Sequence, residues 1–299
     1  MLEQFLAWLT SAERRRLTAE TMRAYQRQVE AFAQWLETSL GILCTPETVT
    51  PYRMEAYLAY LQQDLKRAPA TQMKAIAALK AFSQWLLVTN RRSDDAARRL
   101  RAQPEQPTPP KALSATIVRR VLDAAHHTGN LRDAVIVELL AKSGLRASEA
   151  AGIQIEQLER GARTMWIRVI GKGQKIRRVP LPKDVGQLIE DYLELRTQRE
   201  GQRPGQGPLL VGQRGGITRS TINTVVANVA ARANLAPTQR ASITPHAFRH
   251  TVATNLVRQR DLVTVADLLG HTSVNTTRRY AKASATELEE AVNLLRYTQ

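Results

Sequence analysis

AQPEQPTPPKA, residues 102–112, is the stretch that divides this chain. Pro104, Pro107, Pro109 and Pro110 fall within it. Each proline fixes φ and lacks an amide donor, so no helix or sheet ladder runs through the segment. The pattern predicts a domain over residues 1–102, a linker over 103–112 and a second domain over 113–299. A chain of 299 residues is long enough to give each domain its own core.

On the N-terminal side every periodic segment has helical spacing. MLEQFLAWLTSAERRR has an early Glu3 and no basic lead-in, so it reads as a short amphipathic helix and not as a signal peptide. Thr18 caps a segment in which Met22, Tyr25, Val29, Phe32 and Leu36 share a face. Thr50-Pro51 is a cap followed by a first-turn proline. A further helix is expected from about Thr71, with Ile76, Leu79, Phe82 and Leu86 on one face, and a short one over Asp94–Arg101.

The C-terminal side is mixed. Ser114 caps a helix to about His127, and Leu131–Ser143 forms another that ends at Gly144. Thr164–Ile170 and Lys175–Leu181 read as strands around the turn Gly171-Lys172-Gly173-Gln174, a β-hairpin with a lysine at its tip. Helices are expected over Asp184–Arg199, Thr218–Ala233, from Thr244-Pro245, over Leu262–Leu269, over Ser273–Tyr280 and over 284–296. GQRGG at 212–216 reads as a flexible loop. The fold class is therefore mainly α with a small β-sheet: an all-helical N-terminal domain and an α+β C-terminal one.

Charge narrows the partner. Lys and Arg number 43 against 27 Asp and Glu, a formal +16. Such an excess suits a polyanion, because each neutralised phosphate releases a condensed counterion. Aromatics are 5%, which favours duplex DNA over a base-stacking platform for single strands. Cys44 is the only cysteine, so no intramolecular disulfide and no cysteine-rich zinc site is expected, in keeping with a reducing cytoplasm. The apolar runs are too short for a membrane span.

Several residues suit phosphate chemistry, though each has a plainer reading. Arg146 follows a glycine turn and has Glu149 three residues on to hold its guanidinium; alone it is equally a solvated arginine. His246 and Arg249 share one helix face, with His250 beside them. The pair His246/His250 has metal-ligand spacing, but residue 247 is Ala and no third ligand is spaced nearby. Lys172 is equally an exposed turn lysine. GxxxxGK[ST] occurs nowhere, so nucleotide hydrolysis has no support. His271 follows Gly270, and Tyr280 follows ThrThrArgArg; Tyr25, Tyr57 and Tyr192 fall on amphipathic helices as packing residues.

As an ordered set, SGLRASE, GKGQK, PHAFRH, LLGH and TTRRY resemble the tyrosine recombinases, the family of phage integrases, Xer recombinases and Cre-like enzymes. TAETMRAYQRQVEAFAQWL is similar to that family's helical, SAM-like core-binding domain, and PPKALSATIVRRVLDA to its linker and catalytic-domain entry. The resemblance places the catalytic arginines at Arg146 and Arg249, the hairpin lysine at Lys172, the histidines at His246 and His271 and the nucleophile at Tyr280, with Glu149 supporting Arg146. Two flanks depart from the Xer pattern: Arg278-Arg279 before the tyrosine, and Ala247-Phe248. The resemblance implies cleavage and rejoining of duplex DNA through a 3′-phosphotyrosine, with no cofactor and neither metal nor ATP. It also implies inverted-repeat recombination arms and a homotetramer assembled through the C-terminal helix, whose apolar face of Leu288, Ala291, Val292 and Leu295 is equally a packing face for its own domain. Chromosomal, plasmid and mobile-element roles all stay open, as does the need for accessory proteins. Duplex contacts are expected from both domains, with Lys74, Lys175, Arg177 and Arg219 as candidates. A type IB topoisomerase would share the chemistry but reseal the same strand. A non-catalytic DNA-binding protein would explain the charge but not the ordered set.

Overall fold

The structure is a computed structural model. It describes residues 1–10, 17–101, 112–162, 164–171, 175–201 and 204–270. The chain separates into two compact units, Met1–Gln106 and Pro107–Gln299.

Unit 1 contains α1 (Leu2–Leu9), α2 (Ala19–Leu40), α3 (Pro51–Gln63) and α4 (Pro69–Val88). Their starts are set locally. The side chains of Thr18 and Thr50 accept from the amides of Thr21 and Arg53, and α3 and α4 each begin with a proline that needs no amide partner. The start of α4 at Pro69, ahead of Thr71, follows from that preference. The apolar faces meet in an aromatic core: Phe5 and Phe82 pack edge to face at 5.2 Å, and Phe32 and Tyr57 at 5.3 Å. Burial of each such side chain contributes roughly 1.5–3 kcal/mol.

Residues 94–101 do not form the expected helix; they run through bends and turns. The Ser83 hydroxyl donates to Asp95 Oδ1 at 2.6 Å, and both oxygens accept from the amide of Ala97. These side chains take the hydrogen bonds a helix would use, while Ala96, Ala97 and Leu100 still reach the core.

Unit 2 runs α5 (Ala115–His127), α6 (Leu131–Ser143), α7 (Ala147–Ala151), a single 3₁₀ turn at Ile155–Gln157, then β1 (Leu158–Arg160), β2 (Met165–Ile170) and β3 (Ile176–Leu181). After these come α8 (Lys183–Glu200), β4 (Val211–Gly212), β5 (Gly215–Gly216), α9 (Arg219–Arg232), α10 (Pro237–Ser242), α11 (Pro245–Val257) and α12 (Leu262–Leu269). Helix α6 is the centre of this unit, with α5, α8 and α11 packed around it. Residues Ala134 through Leu140 are all buried, which is why this stretch reads as almost continuously apolar. The one acid there, Glu138, pairs with Lys142 and His126 at 2.8 Å each.

The sheet is antiparallel in the order β1-β2-β3, with Ile167 opposite both Leu158 and Val179. The hairpin read from the sequence is present as β2 and β3. β1 was not foreseen, because three residues are too few to show alternation. GQRGG is not a loop throughout: Gly212 pairs with Gly215 in a small second hairpin, and Gly215 takes φ +97°. α10, opened by Pro237, was likewise not foreseen. Among the described residues no helix is long and apolar enough to cross a membrane.

Candidate active site

The ends of α6, α7, α9, α11 and α12 carry the site residues. Helix α6 stops at Gly144, which adopts φ +67°, and two residues later Arg146 occupies the N-cap of α7. The Glu149 carboxylate reaches back to the Arg146 amide at 2.8 Å and accepts from Arg146 Nη1 at 2.7 Å. The expected Arg146–Glu149 partnership is thus present, and the Arg146 side chain remains 43% exposed to solvent.

Helix α11 starts at Pro245, with the Thr244 hydroxyl accepting from the amide of Ala247 at 3.1 Å. This start sets His246 on an exposed first turn and Arg249 one turn deeper, 4% exposed. Arg249 Nη1 donates to the carbonyl of Gly144 and Nη2 to that of Leu269, both at 2.6 Å. One side chain therefore joins the end of α6 to the end of α12. Its positive charge beside the last carbonyls of α12 also complements that helix's dipole. His246 and His250 pack edge to face at 3.9 Å between ring centroids, so His250 supports the ring of His246.

Arg146, His246 and Arg249 line one cleft of about 550 Å³, together with Ser148, Arg219 and Asn223. The cleft thus gathers three of the residues singled out for catalysis and one, Arg219, singled out for DNA contact. Ser148 and Asn223 were not singled out. Asn223 lies one helical turn after Arg219, a spacing that gave a usable signal. Lys175 is exposed beside the hairpin turn, and Lys74 is exposed on α4 of the other unit. Arg177 differs from them: its guanidinium pairs with Glu149 and its side chain is 12% exposed. Lys172, His271, Tyr280 and the expected helices at 273–280 and 284–296 lie outside the described residues.

Glu149 is the electrostatic hinge of the site. It is taken out of water, which raises its pKa, but hydrogen bonds from Arg177 and Arg146 reverse that effect and hold the carboxyl at about 2. It is a fixed anion between two cations at any physiological pH.

The chain is similar to known proteins over most of its length. Residues 111–287 match the model of the phage integrase family, and residues 2–91 match the phage integrase N-terminal SAM-like domain. A curated relative, tyrosine recombinase XerC of Nitrobacter winogradskyi, is 32% identical over 93% of this chain and 88% of its own length. Among solved structures, XerH site-specific recombinase bound to difH substrate aligns with a TM-score of 0.73 at 20% identity, over 98% of this chain and 83% of that one. A lambda integrase tetramer bound to a Holliday junction aligns at 0.70 and 16% identity, over 95% of this chain and 78% of that one. The matched model spans more than half of the sequence, and the chain belongs to the phage integrase family as a Xer-like tyrosine recombinase.

Proposed function

We propose that this protein recombines duplex DNA at a specific site, and that the cleft lined by Arg146, His246 and Arg249 holds the scissile phosphate. The observation that carries the reading is the convergence of these residues from two separate helix starts on one cleft. Attack on a phosphodiester places extra negative charge on the nonbridging oxygens. Planar, permanently charged guanidinium groups suit that charge.

Tyr280 is the nucleophile. Its phenol has an ordinary pKa of about 10, so attack at neutral pH needs a base, and His246 accepts the proton. The new bond joins the phenolic oxygen to phosphorus, and the bond from phosphorus to the 5′ oxygen breaks. Lys172 protonates that 5′ oxygen as it leaves. His271 donates a further hydrogen bond to the phosphate. The products are a 3′-phosphotyrosine and a free 5′-hydroxyl, and the phosphotyrosine keeps the phosphodiester's energy for rejoining. Attack by the hydroxyl of a second duplex then exchanges strands.

Two duplexes with inverted arms, held by a tetramer whose C-terminal helices reach neighbouring subunits, would pass through a Holliday junction. The alignment with a lambda integrase tetramer bound to a Holliday junction supports this arrangement. The N-terminal unit, residues 1–102, and the catalytic unit, residues 113–299, both contact the duplex, with Lys74, Lys175 and Arg219 among the phosphate contacts.

The test uses a site selected from a random duplex library by its binding to the Tyr280→Phe protein. Two differently labelled duplexes carrying that site should yield chimeric products with wild-type protein. Relaxation of supercoiled DNA without chimeras would assign the protein to same-strand resealing. A 5′-bridging phosphorothiolate, whose sulfur leaves without an acid, should selectively restore cleavage by Lys172→Ala.

A further inference from the structure

Arg177 stands on β3 with its guanidinium turned inward. Nη1 and Nη2 donate to Oε1 and Oε2 of Glu149 at 3.1 and 2.8 Å, and Nε donates to the carbonyl of Leu268 at 2.9 Å. The same carboxylate accepts both the amide and Nη1 of Arg146. One planar cation therefore ties together the catalytic hairpin, the turn that presents Arg146 and the end of α12.

Gly270 fits this arrangement closely. It adopts φ +64°, and a Cβ there would lie 2.7 Å from Arg177 Nη1 and 3.0 Å from Cζ. The backbone at the end of α12 rests directly on the guanidinium. The carbonyls of Leu268 and Leu269, adjacent in sequence, are held by Arg177 and Arg249 respectively.

We infer that Arg177 is a positioning residue for strand cleavage: it orients Arg146 through Glu149 and fixes the Gly270 turn, from which the chain continues into His271, without touching the DNA. This replaces the reading of Arg177 as a phosphate contact. Its Nε, Nη1 and Nη2 all donate to groups within the protein. The role needs a guanidinium, because only a planar fork meets both carboxylate oxygens and a carbonyl at once, whereas lysine is a point charge. The inference rests on the proposed assignment of Arg146 to the scissile phosphate.

The experiment measures single-turnover cleavage of a nicked duplex site at saturating full-length protein, alongside DNA affinity across a salt series. The proteins are wild type, Arg177→Lys, Arg177→Gln, Glu149→Gln and the double variant Arg177→Gln/Glu149→Gln. Thermal unfolding gives the folded fraction of each. A misplaced guanidinium should slow cleavage by about 10- to 100-fold per folded molecule, with affinity and salt slope unchanged. The double variant should be no slower than the slower single variant, because both changes break one connection. Arg177→Lys keeps the charge and is the milder change, so it carries the test if Arg177→Gln does not fold.

Cleavage at the wild-type rate with weakened binding and a shallower salt slope would make Arg177 a phosphate contact and overturn the inference. A lower melting temperature with unchanged cleavage per folded molecule would make it purely structural and overturn it equally. Multiplicative losses in the double variant would show that it does not act through Glu149. The wild-type cleavage rate, measured in the same series, tests the underlying reading of the site separately.

Discussion

Glu149 accepts hydrogen bonds from Arg146 and Arg177, and its side chain is 8% exposed. The consequence is a defined pH dependence. Its carboxyl is depressed to about 2 in the folded protein and returns to the ordinary range, near 4.5, on unfolding. The stability it contributes is therefore fully present above that ordinary value and is lost as pH falls toward 2. Thermal unfolding from pH 6 to pH 2 should show wild type losing its advantage over Glu149→Gln within that window. Near neutral pH the Gln variant should be less stable by about 3–5 kcal/mol, the usual cost of breaking a buried ion pair from one side. Half of this arrangement was legible. Arg146 and Glu149 lie three apart at a helix start, where a backward-reaching acid is expected. The other half was not. Arg177 comes from a strand, and no local pattern says whether a strand arginine turns to DNA or into the protein.

At the scale of elements, the helix starts were the most legible features. Thr18, Thr50, Ser114 and Thr244 each act as the cap that their residue type and position predicted. Helix ends carry more of the function, and there tertiary contact decides. Gly129 and Gly144 both adopt φ +67°, but a Cβ at Gly129 meets nothing within 4 Å, while one at Gly144 would lie 2.7 Å from Leu269 Cδ2 and 3.2 Å from Val252 Cγ1. Gly129→Ala should cost about 1–2 kcal/mol for its left-handed backbone alone. Gly144→Ala should add a packing penalty of about 1–3 kcal/mol. Denaturant unfolding of the two variants should rank them in that order. Equal losses would mean that α12 does not press on the end of α6. Asp94–Arg101 fails as a helix for the same kind of reason: Ser83, distant in sequence, supplies a hydroxyl to the amide of Ala97.

At the scale of the whole molecule, the basic excess of +16 was the first pointer to a polyanion, and the division by prolines pointed to two units. What the sequence could not reveal was which basic residues stay open and which turn into the protein. Arg219 lines the cleft and Lys175 is exposed, whereas Arg177 is committed to Glu149. Affinity for the selected duplex should fall steeply with salt, and Arg219→Ala and Lys175→Ala should each reduce the magnitude of the log–log slope by about one. A slope unchanged in both variants would place the duplex elsewhere on the protein. The central claim, covalent attack by Tyr280, is tested most directly by trapping the adduct. Protein is incubated with a nicked duplex whose 5′-hydroxyl fragment diffuses away after cleavage, and the mixture is run on a denaturing gel. Wild type should give a protease-sensitive protein–DNA species that survives denaturation, and Tyr280→Phe should bind the duplex and give none. An adduct of undiminished yield from Tyr280→Phe would contradict the account.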